Sequence, residues 1–336
     1  MAHSNISIFV PHVGCPHMCA FCNQRTITGM HNIPHADDVK RICTQAMQEI
    51  SDYSDTEIAF FGGSFTAIPR EYMIELLEAA HEFIGVGKFK GIRLSTRPDC
   101  IDTEMLDILK KYGVTAIELG AQSMCNHVLK ANERGHTAED VCMASKIIKD
   151  YGFELGLQMM VGLYKSTPQD EMETMLRIIE LYPKTVRIYP VAVLKGTKLA
   201  ELYQSGEYSL MTFDEVISLC SKMLVAFHEA NIEVIRCGLH SSETVKHDIV
   251  AGFYHPAFRE ICESLIYRRA ILKYLNVNKA TVYVSKNGVS RAVGHKKCNK
   301  IYFQAENIDI DFKEDVSLKN DEICINKDVH NVFKIT

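Results

Sequence analysis

Cys15-Pro16-His17-Met18-Cys19-Ala20-Phe21-Cys22 is the stretch around which the rest of the chain is organised. Three cysteines spaced C-x3-C-x2-C fit in one short loop, and all three thiolates can turn inward on one metal centre. Iron–sulfur clusters are held by Cys thiolates, and a cubane held by three protein ligands keeps its fourth iron open to a small molecule. Phe21, between the last two cysteines, would set a flat ring beside that iron. A disulfide framework does not fit, because three cysteines cannot pair among themselves and no secretory leader is expected. A structural zinc site would want a fourth ligand, which His17 or His12 could supply. Scattered buried thiols are the blandest alternative, but chance seldom sets three in one such loop.

Working outward, residues 6–10 alternate and are β-branched, which predicts a strand running into the cysteine loop. Further strands are expected at 57–61, 91–95, 115–119, 153–161 and 185–190. Between them, helical periodicity is expected at 37–50, 71–83, 102–112, 138–151 and 169–181, followed by 213–230. Strands alternating with helices imply a parallel sheet with right-handed crossovers, whose reactive residues gather at the strand ends. A strand-like run at 232–236 and a long helix at 255–275 follow. The tail offers short strand-like pieces at 281–284, 300–303 and 322–325, separated by turn residues. This predicts a core over residues 1–240 and a small α+β accessory region over 241–336.

Each of the first five strands ends in residues able to bind a ligand. Gly62-Gly63-Ser64 after the second strand lets the backbone approach a ligand closely, although alone it reads as a tight turn. Ser95-Thr96-Arg97-Pro98-Asp99 ends the third strand with hydroxyls and a guanidinium that can fork onto a carboxylate. Gln122 ends the fourth, Arg134 precedes the next helix, and Gln158 lies on the fifth strand. Taken singly, these would be ordinary polar residues at turns and helix starts.

At this point the sequence resembles the radical S-adenosylmethionine (SAM) superfamily, whose signature has this cysteine spacing with an aromatic before the third cysteine. The Thr96-Arg97-Pro98-Asp99 run and the spacing of Gln122 and Arg134 resemble the Elongator catalytic subunit family. The oxygen-independent coproporphyrinogen oxidases are a more distant likeness. The resemblance implies a partial (β/α)6 TIM-type barrel and a [4Fe–4S] cluster on Cys15, Cys19 and Cys22. It also implies SAM, split reductively by an electron from the cluster. By the same likeness, Phe21, Gly62, Gly63, Ser64, Ser95, Arg97, Gln122, Arg134, Gln158 and Val191 would contact SAM. Two departures stand out: Ser64 replaces the family's usual acidic residue, and Tyr164 stands where a proline is expected. Neither the family's acetyltransferase domain nor its N-terminal tRNA-binding extension is expected within this chain, so acetyl transfer does not carry over. The substrate would be an RNA base; a tetrapyrrole or small-molecule substrate, or a regulatory module without turnover, are the alternatives. A reducing partner such as flavodoxin or ferredoxin, and tRNA or another RNA, are the implied partners.

Composition bounds these readings. Of 336 residues, 47% are hydrophobic and 24% charged, ordinary for a folded protein. A net charge of −5 argues against a chain-wide basic surface for nucleic acid. No apolar run approaches membrane-spanning length, and the twelve cysteines suit a reducing cytoplasm, the expected location. Cys237, His240, His247, His255 and Cys262 crowd metal-ligand types, but their spacing fits no zinc or cluster pattern. Arg259, Arg268, Arg269, Lys286, Arg291, Lys296, Lys297 and Lys300 offer a phosphate-binding patch or a solvated surface.

Overall fold

The structure is a computed structural model that describes residues 4–10, 15, 18–23, 33–50, 53–239 and 243–334, with only the backbone at 243–245. It divides into two compact units, residues 1–210 with 240–252, and residues 211–239 with 253–336.

The first unit is built on six strands, β1 (Ser4–Val10), β2 (Thr56–Gly62), β3 (Gly91–Thr96), β4 (Val114–Gln122), β5 (Glu154–Val161) and β6 (Thr185–Pro190). Each pairs in parallel with the next in sequence order. Helices α1 (Ala36–Glu49), α2 (Arg70–His81), α3 (Thr103–Lys111), α4 (Asn126–Ala131), α5 (Ala138–Asp150) and α6 (Pro168–Glu180) fill the crossovers. This is the partial (β/α)6 TIM-type barrel, with the α+β appendage in the second unit. The strands are buried runs such as Thr56–Phe60 and Ala116–Ala121, as a sheet covered on its outer face requires. Side chains cap the starts of α3, α5 and α6: Asp102 accepts from Met105 N–H, and Thr137 and Thr167 form capping boxes with Asp140 and Asp170. Gly113 and Gly152, at φ 76° and 84°, end the third and fifth helices in the left-handed region.

The ends of β1 and β2 meet closely at Gly62. Gly62 sits at φ 116°, and a Cβ there would lie 2.4 Å from the Val10 carbonyl oxygen. Gly63 N–H donates to that same oxygen at 2.9 Å. No side chain fits at Gly62, so that glycine is first a requirement of strand packing.

In the second unit, helices Phe213–Glu229 and Phe258–Tyr274 flank the strand Glu233–Cys237. A four-stranded sheet orders Asp309–Glu314, Lys279–Val284, Glu322–Ile325 and Asp328–Asn331. Its first pair is parallel and the others antiparallel. The expected strand at 300–303 is corrected by the structure: those residues lie inside the helix Cys298–Ala305. Buried Asn299 donates its amide to the Ser264 and Ala292 carbonyls, and Phe303, one turn later, is buried on the same side. That tertiary anchoring overrides the β-like Ile301-Tyr302-Phe303 run. Among the described residues, no helix is long and apolar enough to cross a membrane.

Candidate functional site

The described part of the cysteine loop is clipped between two neighbours. Ala20 N–H donates to Asn132 O at 3.0 Å, and Ala20 O accepts from Leu199 N–H at 2.8 Å. A tight turn from Cys19 O to Cys22 N–H, 3.0 Å, brings the last two cysteines together. Cys19 is buried; Cys15 and Cys22 are partly exposed. Among the described residues no three His, Cys, Asp or Glu side chains are gathered as a metal site. His12 and His17, the alternative zinc ligands, lie outside the described residues, as does His240.

Around the Cys19 thiol the structure brings together side chains from the ends of β2, β3 and β4 and the loops that follow them. Arg134 is buried; its Nη1 donates to Cys19 Sγ at 3.1 Å and its Nη2 to Gly120 O at 2.6 Å. Arg97, 3% exposed, forks onto Asp99 at 2.9 and 2.8 Å and donates Nη2 to the Arg134 carbonyl. Its carboxylate partner is thus its own neighbour two residues on. Burial would raise the Asp99 carboxyl, but Arg97 holds it below the usual range. The Ser64 hydroxyl meets Thr96 Oγ1 at 2.8 Å and accepts the Arg97 N–H at 3.1 Å, tying the Gly-Gly loop to the end of β3. Gln122 takes φ 65° where the β4–β5 register shifts, an uncommon backbone for a non-glycine. Gly120 keeps this corner open: a Cβ there would meet Gln122 Nε2 at 2.9 Å and Arg134 Nη2 at 3.2 Å. His136 leans on Ala121 O at 3.3 Å, and burial, with Arg134 and Arg97 nearby, pushes its pKa down to about 3.

Among the described residues, four buried polar atoms in this corner have no hydrogen-bond partner: Arg97 Nη1, Arg134 Nε, Gln122 Oε1 and His136 Nδ1. Buried polar groups are nearly always satisfied, so unpaired ones call for an explanation. Two guanidinium N–H donors suit a carboxylate, and an amide oxygen suits an ammonium. With the thiol-rich loop beside them, this donor set fits both a cluster and the amino-acid end of SAM. Beside it, Cys19, Phe21, Leu163, Val191, Leu199 and Tyr208 belong to one buried apolar cluster.

The other two polar candidates join a different network. Gln158 Nε2 donates to Ser95 Oγ at 3.0 Å and to Glu118 Oε2 at 2.8 Å. Fully buried Glu118 takes Arg187 on both oxygens, at 2.6 and 2.9 Å, with Arg93 at 3.5 Å. Arg93 Nε reaches Glu57 at 2.7 Å, and Arg187 lies 4.8 Å over the Phe61 ring. Burial would raise the Glu118 carboxyl; Arg187 and Arg93 hold it below the ordinary range. Sequence reasoning missed this network. Its signal is charge on covered parallel strands, where near-continuous apolar runs are the rule.

A further buried carboxylate steadies the loop after β5. Glu171 Oε1 accepts the Gly162 N–H and the Ser166 hydroxyl, both at 2.7 Å, and Tyr208 O–H bonds the Gly162 carbonyl. Tyr164, in the expected proline's place, packs edge-on to Tyr208 at 6.0 Å. Of the other metal-ligand types, Cys237 and Cys262 stay together, their thiols hydrogen-bonded to each other and to the Cys220 thiol. Cys237 and Cys262 are buried in the second unit, where His255 meets the His295 ring at 5.1 Å, while His247 is an exposed residue of the first unit. Of the basic tail residues, Arg291 is paired with Asp321 at 2.8 Å and Arg259 with Glu263 at 2.8 Å.

Comparison with known proteins places these residues in context. The radical SAM superfamily model matches residues 9–178, and the radical SAM C-terminal domain model matches residues 183–268. An uncharacterized protein of Methanocaldococcus jannaschii is 32% identical over 225 residues, covering 63% of this chain and 68% of that protein. The tRNA uridine(34) acetyltransferase of Methanocaldococcus infernus is 30% identical over 185 residues, 49% of this chain. The chain spans only 35% of that relative's length. Among solved structures, archaeal M. infernus Elp3 with an N-terminal deletion superposes at TM-score 0.62 with 21% identity, over 79% of this chain and 63% of that one.

Proposed function

The chain belongs to the radical SAM superfamily, and from that premise we propose an enzyme resembling the radical SAM half of the Elongator catalytic subunit. The family implies SAM and an iron–sulfur cluster. In this reading the cluster is [4Fe–4S], held by Cys15, Cys19 and Cys22. The observation that carries it is the set of unpartnered buried atoms on Arg97, Arg134 and Gln122 around Cys19. Arg97 Nη1 and Arg134 Nε take the SAM carboxylate, and Gln122 Oε1 takes its ammonium. Backbone carbonyls of Gly62 and Gly63, tied down through Ser64, add acceptors. Ser95 and Gln158 meet the ribose, the backbone near Val191 lies against the adenine, and the Phe21 ring sits beside the open iron. When bound, the cluster supplies one electron and SAM the deoxyadenosyl radical that starts chemistry on a substrate.

The substrate is an RNA base, on the strength of a relative that acts on tRNA uridine; a flavodoxin or ferredoxin serves as reductant, and the cytoplasm is the site of action. Residues 1–240 act as the catalytic core and 241–336 as an accessory region. A net charge of −5 and the internal pairing of Arg259 and Arg291 favour the second reading, a tetrapyrrole or other small-molecule substrate. A module that binds SAM without turnover is the remaining outcome. The test is anaerobic reconstitution, expected to give about four irons and four sulfides per chain, followed by deoxyadenosine release under dithionite with and without tRNA. Release stimulated by tRNA supports the RNA reading. Release indifferent to tRNA shifts it to a small molecule, and no release with a full cluster leaves the regulatory module.

A further inference from the structure

Arg134 does something that a SAM-binding residue alone need not do: it touches a cluster ligand. Its Nη1 stands 3.1 Å from the Cys19 sulfur, its Nη2 is held by Gly120 O at 2.6 Å, and its own carbonyl accepts from Arg97. The side chain is buried, and the missing side chain at Gly120 leaves space shared by the Gln122 amide and the guanidinium, which a Cβ would meet at 2.9 and 3.2 Å. An arginine keeps its charge at any working pH. A permanent cation is therefore pinned against one cluster ligand, shielded from water and from salt.

We infer that Arg134 is a positioning residue that sets the reduction potential of the cluster, by donating a charge-assisted hydrogen bond to the Cys19 sulfur. The inference rests on the cluster assignment above. Cluster potentials follow net charge, hydrogen bonds to the sulfurs and solvent exposure. Reduction adds one electron, from an external one-electron donor, and makes the cluster and its thiolates more negative. A cation bonded to a ligand sulfur stabilises that reduced form more than the oxidised one, so it raises the potential. The guanidinium would then serve two partners: Nη1 holds the sulfur, and Nε, unpartnered among the described residues, would take the SAM carboxylate.

The experiment is anaerobic potentiometry on the reconstituted protein without SAM, following the EPR signal of the reduced cluster. Arg134→Gln and Arg134→Met should need a lower potential. At the wild-type midpoint their reduced-to-oxidised ratio should fall about tenfold, equivalent to 59 mV for one electron. Arg134→Lys, which returns a cation to the same space, should recover part of that loss. Should Arg134→Gln fail to load a cluster, Gly120→Ala presses on the guanidinium and is expected to shift the midpoint the same way. Cluster-loaded variants with the wild-type midpoint would overturn the inference. A wild-type protein that takes up no four-iron cluster sinks the assignment beneath it instead, so the two failures are distinguishable.

Discussion

Two polar clusters sit within the same barrel and obey opposite rules. In the interior, Glu57, Arg93, Glu118, Arg187 and Gln158 bind one another, and carboxylates and guanidiniums offset each other's charge. At the barrel mouth, buried Arg97 and Arg134 and half-buried Gln122 each leave a buried atom unsatisfied among the described residues. A closed network holds the strands in place, whereas an open one forgoes hydrogen-bond energy that a ligand can supply. Substitutions should therefore act on stability in the first cluster and on ligand affinity in the second.

The hardest way to break the comparison is at the mouth itself. Cys19→Ala should abolish both iron retention and SAM cleavage, because it removes the buried thiol to which Arg134 bonds. Iron analysis and deoxyadenosine release check it; an Ala protein that still cleaves SAM removes the mouth from the chemistry. Next in size is the interior: Glu118→Ala strands Arg187 without its carboxylate and should cost about 3–5 kcal/mol of stability. Urea unfolding of the two proteins measures it, and a loss under about 1 kcal/mol would mean the network is solvated.

The third substitution sharpens the contrast. Arg134→Ala should weaken SAM binding by about 2–4 kcal/mol, the effect of leaving a charged partner unpaired. Equilibrium binding to the cluster-loaded variant gives the number. Unchanged affinity would reduce Arg134 to a clasp between the cysteine loop and β4.

The sequence made one of these clusters visible and hid the other. Arg97, Gln122 and Arg134 were legible because each ends a strand or precedes a helix, and because their order matches a known family. Glu118 and Arg187, 69 residues apart, meet only through the parallel pairing of β4, β5 and β6. Nothing local announces such a pair beyond charge on strands that ought to be apolar. The six barrel strands were legible from β-branched runs between helical segments. The tail was harder: Ile301-Tyr302-Phe303 has strand-like composition, and only the buried amide of Asn299 shows why it is helical. The role of Gly62 was half legible, since its sequence says that room is needed and the structure says that Val10 takes it.

Glu171 is the intermediate case and gives the smallest effect. It is buried and hydrogen-bonded like the interior carboxylates, but by the neutral Gly162 N–H and Ser166 hydroxyl. Burial therefore wins and pushes its carboxyl up to about 7 from the ordinary 4.5. With its folded pKa raised, the native state binds the extra proton between those values. Stability should be fully present below about pH 4.5 and fall as pH rises through about 7, by roughly 1–3 kcal/mol. Glu171→Gln keeps a hydrogen-bonding oxygen without the charge and should flatten that slope. Urea unfolding at pH 5 and pH 8 reads both proteins. If the natural protein is equally stable at the two pH values, the loop after β5 holds Glu171 as an ordinary ionised carboxylate. The interior would then owe its low carboxylate pKa to hydrogen bonds in general, with arginine pairing no longer the deciding factor.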